Sequence, residues 1–231
     1  MLKKLVAAVI ISGFSAFEAY AASGGYAMRK CSEEYKANPP EIEILYNYGD
    51  LKFDNSQSTE ELKKLLLQNY PKVSSKRLNG LTQFMPYVFI ESSANRMIIG
   101  DSACYYPKHV RVVVGYKPTV YIRNDIQPGS CRFNVTLRHE QTHLDIAHLS
   151  LKRFAQKVKR VFPQMVKDIG FKFVPYKSDV NGNETSAKIN EAYKTQLNTL
   201  FNGFVEEMTE QQMRIDTAEN YKEETALCPN D

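Results

Sequence analysis

Two stretches in the C-terminal half of the chain repeat apolar residues with a helical period. From about Asn134 to Asp168 they fall at positions 137, 144, 147, 151, 154, 158, 161, 165 and 169, a spacing that lays one apolar stripe along a helix. From about Ala187 to Ile215, a second stripe carries Ile189, Tyr193, Leu197, Leu200, Phe204, Met208 and Ile215. The polar loop Ser178–Ser186, with Asn181-Gly182-Asn183 inside it, separates the two. The N-terminal half has the period of strands. Glu41 to Tyr46 alternates, turns at Gly49-Asp50 and resumes at Leu51 to Phe53, the pattern of a hairpin. Ser58-Thr-Glu-Glu is a capping signal ahead of Leu62, Leu65 and Leu66. Phe84 to Glu91 reads as a strand. Val110–Val114 and Thr119–Ile122, joined at Gly115-Tyr116-Lys117-Pro118, read as a second hairpin. Residues 22–40 read as a loose entry ending at Pro39-Pro40. Strands first and helices last predict an α+β fold: an antiparallel sheet with hairpins, packed on two long C-terminal helices.

The first residues change how the rest is read. Residues 1–21 have a basic start at Lys3 and Lys4, an apolar run from Leu5 to Phe17 and a small-x-small site at Ala19-Tyr20-Ala21. This is the layout of a signal peptide, too short for a membrane span. An exported mature chain beginning near Ala22 is expected, periplasmic or secreted, forming a single domain over 22–231 with no stable membrane insertion after cleavage. Outside the cytosol, Cys31, Cys104, Cys131 and Cys228 read as disulfides, and their spacing matches no cysteine-based zinc site. Three pairings are possible. A hairpin centred near Tyr116 would bring position 104 almost opposite 131, which favours Cys104–Cys131 with Cys31–Cys228 tying the termini. The net charge of +4, from 30 basic and 26 acidic residues, excludes an electrostatic case for nucleic acid. The basic helical stretch at Lys152, Arg153, Lys157, Lys159 and Arg160 reads as a solvated face.

The chemistry is concentrated in His139-Glu140-Gln141-Thr142-His143, an H-E-x-x-H motif. On a helix, residues four apart differ by about 40° and lie one turn apart, so both imidazoles can share one zinc ion. Glu140 lies on the same side, placed to take a proton from a water that the metal activates. Thr136, His139, Glu140 and His143 also lie on the apolar stripe and therefore face the interior. The competing reading is a helix whose histidines are hydrogen-bonded in a polar core. His148 points away from His143 by about 140° and reads as a surface histidine.

The motif resembles that of the zincin metallopeptidases. The resemblance implies a motif helix beneath a sheet whose edge strand binds the peptide substrate, and Thr119-Val-Tyr-Ile-Arg is the candidate edge strand. The metzincin extension is missing, with Ile146 and Leu149 where that family has glycine and histidine. The chain is also similar in two places to bacterial exported proteins described as predicted zinc proteases of unknown function. These are Pro128-Gly129-Ser130-Cys131 ahead of the motif and Asp216-Thr217-Ala218-Glu219-Asn220-Tyr221 near the end.

A third ligand must come from elsewhere. If the two long helices are antiparallel, Gln141, 27 residues before Asp168, is level with Arg214, 27 residues after Ala187. That levels Asp216 with the metal. Glu207 has the better helical face but lies about 10 Å away along the axis. Asp216 is preferred, then Glu207, then Glu219. Against this, Asp216-x-x-Glu219 also fits a capping box for a short helix. The resemblance implies that Tyr221 donates to a developing oxyanion; packing is the plainer role for a tyrosine.

The expectation is an exported zinc-dependent hydrolase, a peptidase acting on peptide or protein, with Glu140 as general base. The alternatives are a non-catalytic envelope protein with a structural or sensing metal site, and a cell-wall amidase. Four protein ligands would argue for a structural site; three would argue for a catalytic one.

Overall fold

A computed structural model describes residues 14–69, 78–179 and 181–229. The described residues form helices α1 (Phe14–Ala37), α2 (Thr59–Asn69), α3 (Cys131–Ile169), α4 (Asn183–Met213) and α5 (Ala218–Ala226). Interleaved with them are strands β1 (Glu41–Asn47), β2 (Lys52–Asp54), β3 (Gly80–Ile99), β4 (Ser102–Ile122) and β5 (Lys172–Pro175). The first part of the expected signal peptide, residues 1–13, lies outside the described residues, and residues 14–21 belong to α1. Among the described residues no helix is long and apolar enough to cross a membrane.

The expected α+β fold with an antiparallel sheet is incorrect; the chain is α/β. β4 is hydrogen-bonded to each of the other four strands. β2 runs parallel to it, with Lys52, Phe53 and Asp54 opposite Thr119, Val120 and Tyr121. β5 is antiparallel to it, from Ser102 opposite Pro175 to Tyr105 opposite Lys172.

Both expected hairpins fail for reasons that lie in two glycines. Gly115 is not in a turn but inside β4, where a Cβ would lie 2.5 Å from the carbonyl oxygen of Asn47 and 2.7 Å from the Tyr87 ring. It is a close-approach glycine, which a sequence pattern does not distinguish from a turn glycine. Gly49 has φ 64° and lies between β1 and β2, and a side chain there would strike the carbonyl oxygen of Tyr116 at 2.5 Å. β1 and β2 do not pair with each other; each pairs with β4. The turn is instead at Gly100-Asp101, with φ 59° at Gly100.

The chain divides into two compact units. One comprises Met1–Glu41, Ser92–Val110 and Val166–Ala192. Here the expected loose entry is helical: α1 buries Cys31, which is disulfide-bonded to Cys104 of β4. Cys31, Cys104 and Tyr106 form a core cluster with Tyr35, Met97, Ile99, Phe171 and Phe173 packed against it.

The other unit comprises Ile42–Glu91, Arg111–Met165 and Tyr193–Asp231. Ser58 and Glu61 form the expected capping box: Ser58 N donates to Glu61 Oε2 at 2.7 Å and Glu61 N to Ser58 Oγ at 3.3 Å. Leu62 and Leu66 of α2 then pack with Leu78 and Leu81. Helices α3 and α4 meet along their stripes, with Phe154 stacked on Phe204 at 4.6 Å and Phe162 against Tyr193 at 6.1 Å. Together with the Ser150–Gln211 hydrogen bond, these pairs descend on α4 as they rise on α3, the register of antiparallel helices. The basic residues from Lys152 to Arg160 are all exposed. The second disulfide joins Cys131, at the start of α3, to Cys228, just after α5. The expected pairs Cys104–Cys131 and Cys31–Cys228 are therefore incorrect. β4 runs straight from Cys104 to Ile122, so the fold-back that would have faced Cys104 with Cys131 does not occur.

Candidate metal centre

The motif lies in the third turn of α3, with His139, Glu140 and His143 at 7%, 3% and 6% exposure. They are buried because their positions fall on the stripe that continues into Ala147, Leu151, Phe154 and Val158, all part of the core. After α4 ends, Asp216 comes back across this face. His139 Nε2 is 3.0 Å from Asp216 Oδ1, His143 Nε2 is 3.2 Å from the same oxygen, and the two Nε2 atoms are 3.1 Å apart. The three atoms form a nearly equilateral triangle. Ligands around a tetrahedral zinc ion at its usual bond length are separated by about 3.3 Å, so His139, His143 and Asp216 are spaced to hold one such ion.

The protonation of the rings decides what the triangle can hold. The Gln212 amide donates through Nε2 to the carbonyl oxygen of His143 at 3.0 Å, and a carbonyl can only accept. Gln212 Oε1 therefore faces His143 Nδ1, at 2.5 Å, and that nitrogen must carry a hydrogen. On the other ring, His139 Nδ1 donates to the Glu224 carboxylate at 2.7 Å. Two neutral imidazoles with Nδ1 protonated present bare lone pairs at Nε2. Two lone pairs and a carboxylate oxygen thus converge on one point, an arrangement that a cation stabilises and nothing neutral does.

The electrostatics say the same. Burial alone would lower the pKa of His139, but the hydrogen bond to Asp216 and the charges of Glu140 and Glu224 outweigh it and raise the pKa to about 9. His143 is likewise raised against its burial, by Asp216 and Glu140. Burial opposes ionisation of Asp216, but its hydrogen bonds to both histidines hold its pKa well below the usual carboxylate range. In the metal-free chain a proton takes the place the geometry reserves for a cation.

Glu140 stands beside this triangle. Its Oε2 accepts from Thr82 Oγ1 at 2.7 Å, and a Cβ on Gly80 would lie 2.5 Å from its Oε1. Burial raises its pKa, with the two histidines and Thr82 acting against the rise. Tyr221 donates its hydroxyl to Asp216 Oδ1 at 3.0 Å and packs its ring 5.3 Å from that of His139. Burial and the Asp216 carboxylate push the phenol pKa up, so it stays protonated.

Of the residues singled out in the sequence, His139, Glu140, His143, Asp216 and Tyr221 come together. Asp216 is not a helix cap: that role falls to Thr217, whose hydroxyl accepts from Asn220 N at 3.2 Å. Glu207 is exposed on α4, bonded to Gln211 Nε2 at 3.2 Å, and Glu219 is exposed on α5. His148 is exposed, its ring 4.2 Å from that of Tyr48. Thr119–Ile122 of the expected edge strand lie in β4, the strand to which all the others pair, with Thr119, Val120 and Tyr121 opposite β2, while Arg123 follows the strand. Sequence reasoning misses Thr82, Gln212 and Glu224. Gln212 alone left a signal, because it continues the Phe204, Met208 spacing of the α4 stripe and is a polar residue on an apolar face. No family model, curated protein or solved structure matches the chain.

Proposed function

We propose that the chain is an exported zinc-dependent hydrolase acting on peptide bonds. The observation that carries this reading is the convergence of His139 Nε2, His143 Nε2 and Asp216 Oδ1, with the far side of each ring held as a donor. Among the described residues the cluster offers three ligand atoms, which favours a catalytic site over a four-ligand structural one. Zinc in such a site acts as a Lewis acid on the scissile carbonyl and lowers the pKa of a coordinated water.

The rest is the work of the chain's own residues. Glu140, fixed by Thr82, accepts the proton of the attacking water and delivers it to the leaving amine. Its raised pKa brings it toward the range in which it can do both. Tyr221, whose hydroxyl donates to Asp216 Oδ1, would turn that hydrogen to the developing oxyanion. Among the described strands β3 pairs only with β4, and its first residues lie against Glu140, which supports an extended peptide lying along β3. The two disulfides are compatible with export to an oxidising compartment.

The test is zinc stoichiometry and chelator-sensitive peptide cleavage for the wild type and Glu140→Gln. Both should bind one zinc ion per chain, and only the wild type should cut. Equal cleavage by the variant would remove Glu140 from the mechanism, and a wild type that binds no zinc would remove the reading itself.

A further inference from the structure

The outer face of α3 carries Lys152, Arg153, Lys157, Lys159 and Arg160, within about 12 Å of helix. All five are exposed, and at about 100° per residue they cover an arc of about 160° opposite the buried Leu151, Phe154 and Val158. No Asp or Glu occurs on α3 between Asp145 and Asp168. Among the described residues none of the five cations is in an ion pair. The packing partner α4 exposes Glu206, Glu207 and Glu210, yet no ion pair joins these acids to the α3 cations. Without the five, the chain would hold 25 basic residues against 26 acidic ones, so this ridge outweighs the whole net charge of +4.

The chemistry of this face selects its partner. A protein interface needs a desolvated apolar centre, and from 149 to 164 the only large apolar side chain exposed is Leu149. Single-stranded nucleic acid needs exposed rings, but Phe154 and Phe162 are buried, packed against Phe204 and Tyr193. A bilayer surface rich in anionic headgroups needs neither. It needs several flexible cations on one convex face, each worth about five-fold in affinity. The apolar stripe of α3 is committed to the core, so the helix can lie on such a surface but not in it.

We propose that α3 docks the exported chain, through these five side chains, on a bilayer of anionic phospholipid. The attachment is peripheral and electrostatic, so it weakens as salt rises. His143 stands nine residues before Lys152, about 14 Å along the same helix, so a docked chain holds its metal centre beside the membrane. The proposal does not depend on the hydrolase reading.

The test is co-sedimentation of the exported chain with phosphatidylcholine vesicles, with and without phosphatidylglycerol. In low salt the chain should pellet with the anionic vesicles only, and added salt should release it. Lys152→Gln, Lys157→Gln and Lys159→Gln should each lower the affinity about five-fold, and the three together about 100-fold. Glutamine and lysine have similar helix preferences, so the helical circular dichroism should not change. Arginine at the same three positions keeps the charge and should keep the binding. Lys194→Gln, exposed on α4, should have no effect. No binding to anionic vesicles in low salt, equal binding to neutral vesicles, or an affinity unmoved by the triple glutamine variant overturns the proposal. Tighter binding to duplex DNA than to anionic vesicles also overturns it and assigns the ridge to nucleic acid. A chain that binds vesicles as expected and cleaves no peptide keeps this proposal and loses the hydrolase reading.

Discussion

The Glu224 carboxylate lies 2.7 Å from Nδ1 of His139, on the side of the ring opposite the nitrogen that faces Asp216. A residue near the end of the chain thus sets the tautomer of a motif histidine 85 positions earlier. Outer partners of this kind are worth about 10- to 100-fold in metal affinity. Glu224→Ala should weaken zinc binding by about that factor in a competition titration, with the helical circular dichroism unchanged. Unchanged affinity would show that His139 needs no orienting partner.

Metal uptake should depend on pH in a defined direction. The pKa of His139 is raised to about 9 in the folded metal-free chain, so zinc must displace a proton below that value. Apparent zinc affinity should therefore rise from pH 6.5 toward pH 9, with protons released on binding. The stability of the metal-free chain runs the other way. A raised folded-state pKa contributes stability that is fully present below the unfolded histidine value near 6.5 and is lost as pH climbs through about 9. Thermal melts with and without chelator across this range measure both slopes, and a flat affinity profile would contradict the linkage.

Gly80→Ala tests the space beside the base. Its Cβ would stand 2.5 Å from Glu140 Oε1 and 2.7 Å from Thr136 Cγ2, and both neighbours are on the buried face of α3. The carboxylate must shift, and a displacement of about 1 Å can cost about 100-fold in rate. Zinc stoichiometry should remain at one, because neither ligand ring is touched. Loss of zinc together with activity would mean that the strand, and not the base alone, had moved.

The two disulfides should separate in their effects. Cys131–Cys228 anchors the end of α5, which carries Tyr221 and Glu224, to the start of the motif helix. Its removal by Cys131→Ser with Cys228→Ser should cost about 2–5 kcal/mol of stability and weaken zinc binding as well. Removal of Cys31–Cys104, which lies in the other unit, should lower stability and leave zinc affinity nearly unchanged. Equal loss of zinc in both variants would show that the centre depends on the whole chain.

What the sequence discloses follows from the range of the interactions involved. His139, Glu140 and His143 are four residues apart at most, and helical geometry alone orients them. Asp216 is within reach because α3 and α4 are long and antiparallel, so a count along two regular rises finds the level. The sheet was out of reach. Gly49 and Gly115 are where backbones touch, Asn47 against Gly115 and Tyr116 against Gly49, and such contacts leave only a glycine that looks like any turn glycine. The cysteine pairs inherited that error, since they were placed by a hairpin that β4 does not make. Glu224 and Thr82 are single residues on elements with no periodic signal pointing at the motif, and only the assembled fold puts them there.

His139, His143, Gln212, Asp216, Tyr221 and Glu224 all lie between the half-cystines 131 and 228, so closing that bond encircles the whole ligand shell in one covalent ring. With the bond open, Tyr221 and Glu224 sit on a helix held to the motif helix by non-covalent contacts alone. Under the proposed function, thiol oxidation should therefore come before firm metal capture, and the reduced chain should be the weaker binder of the two.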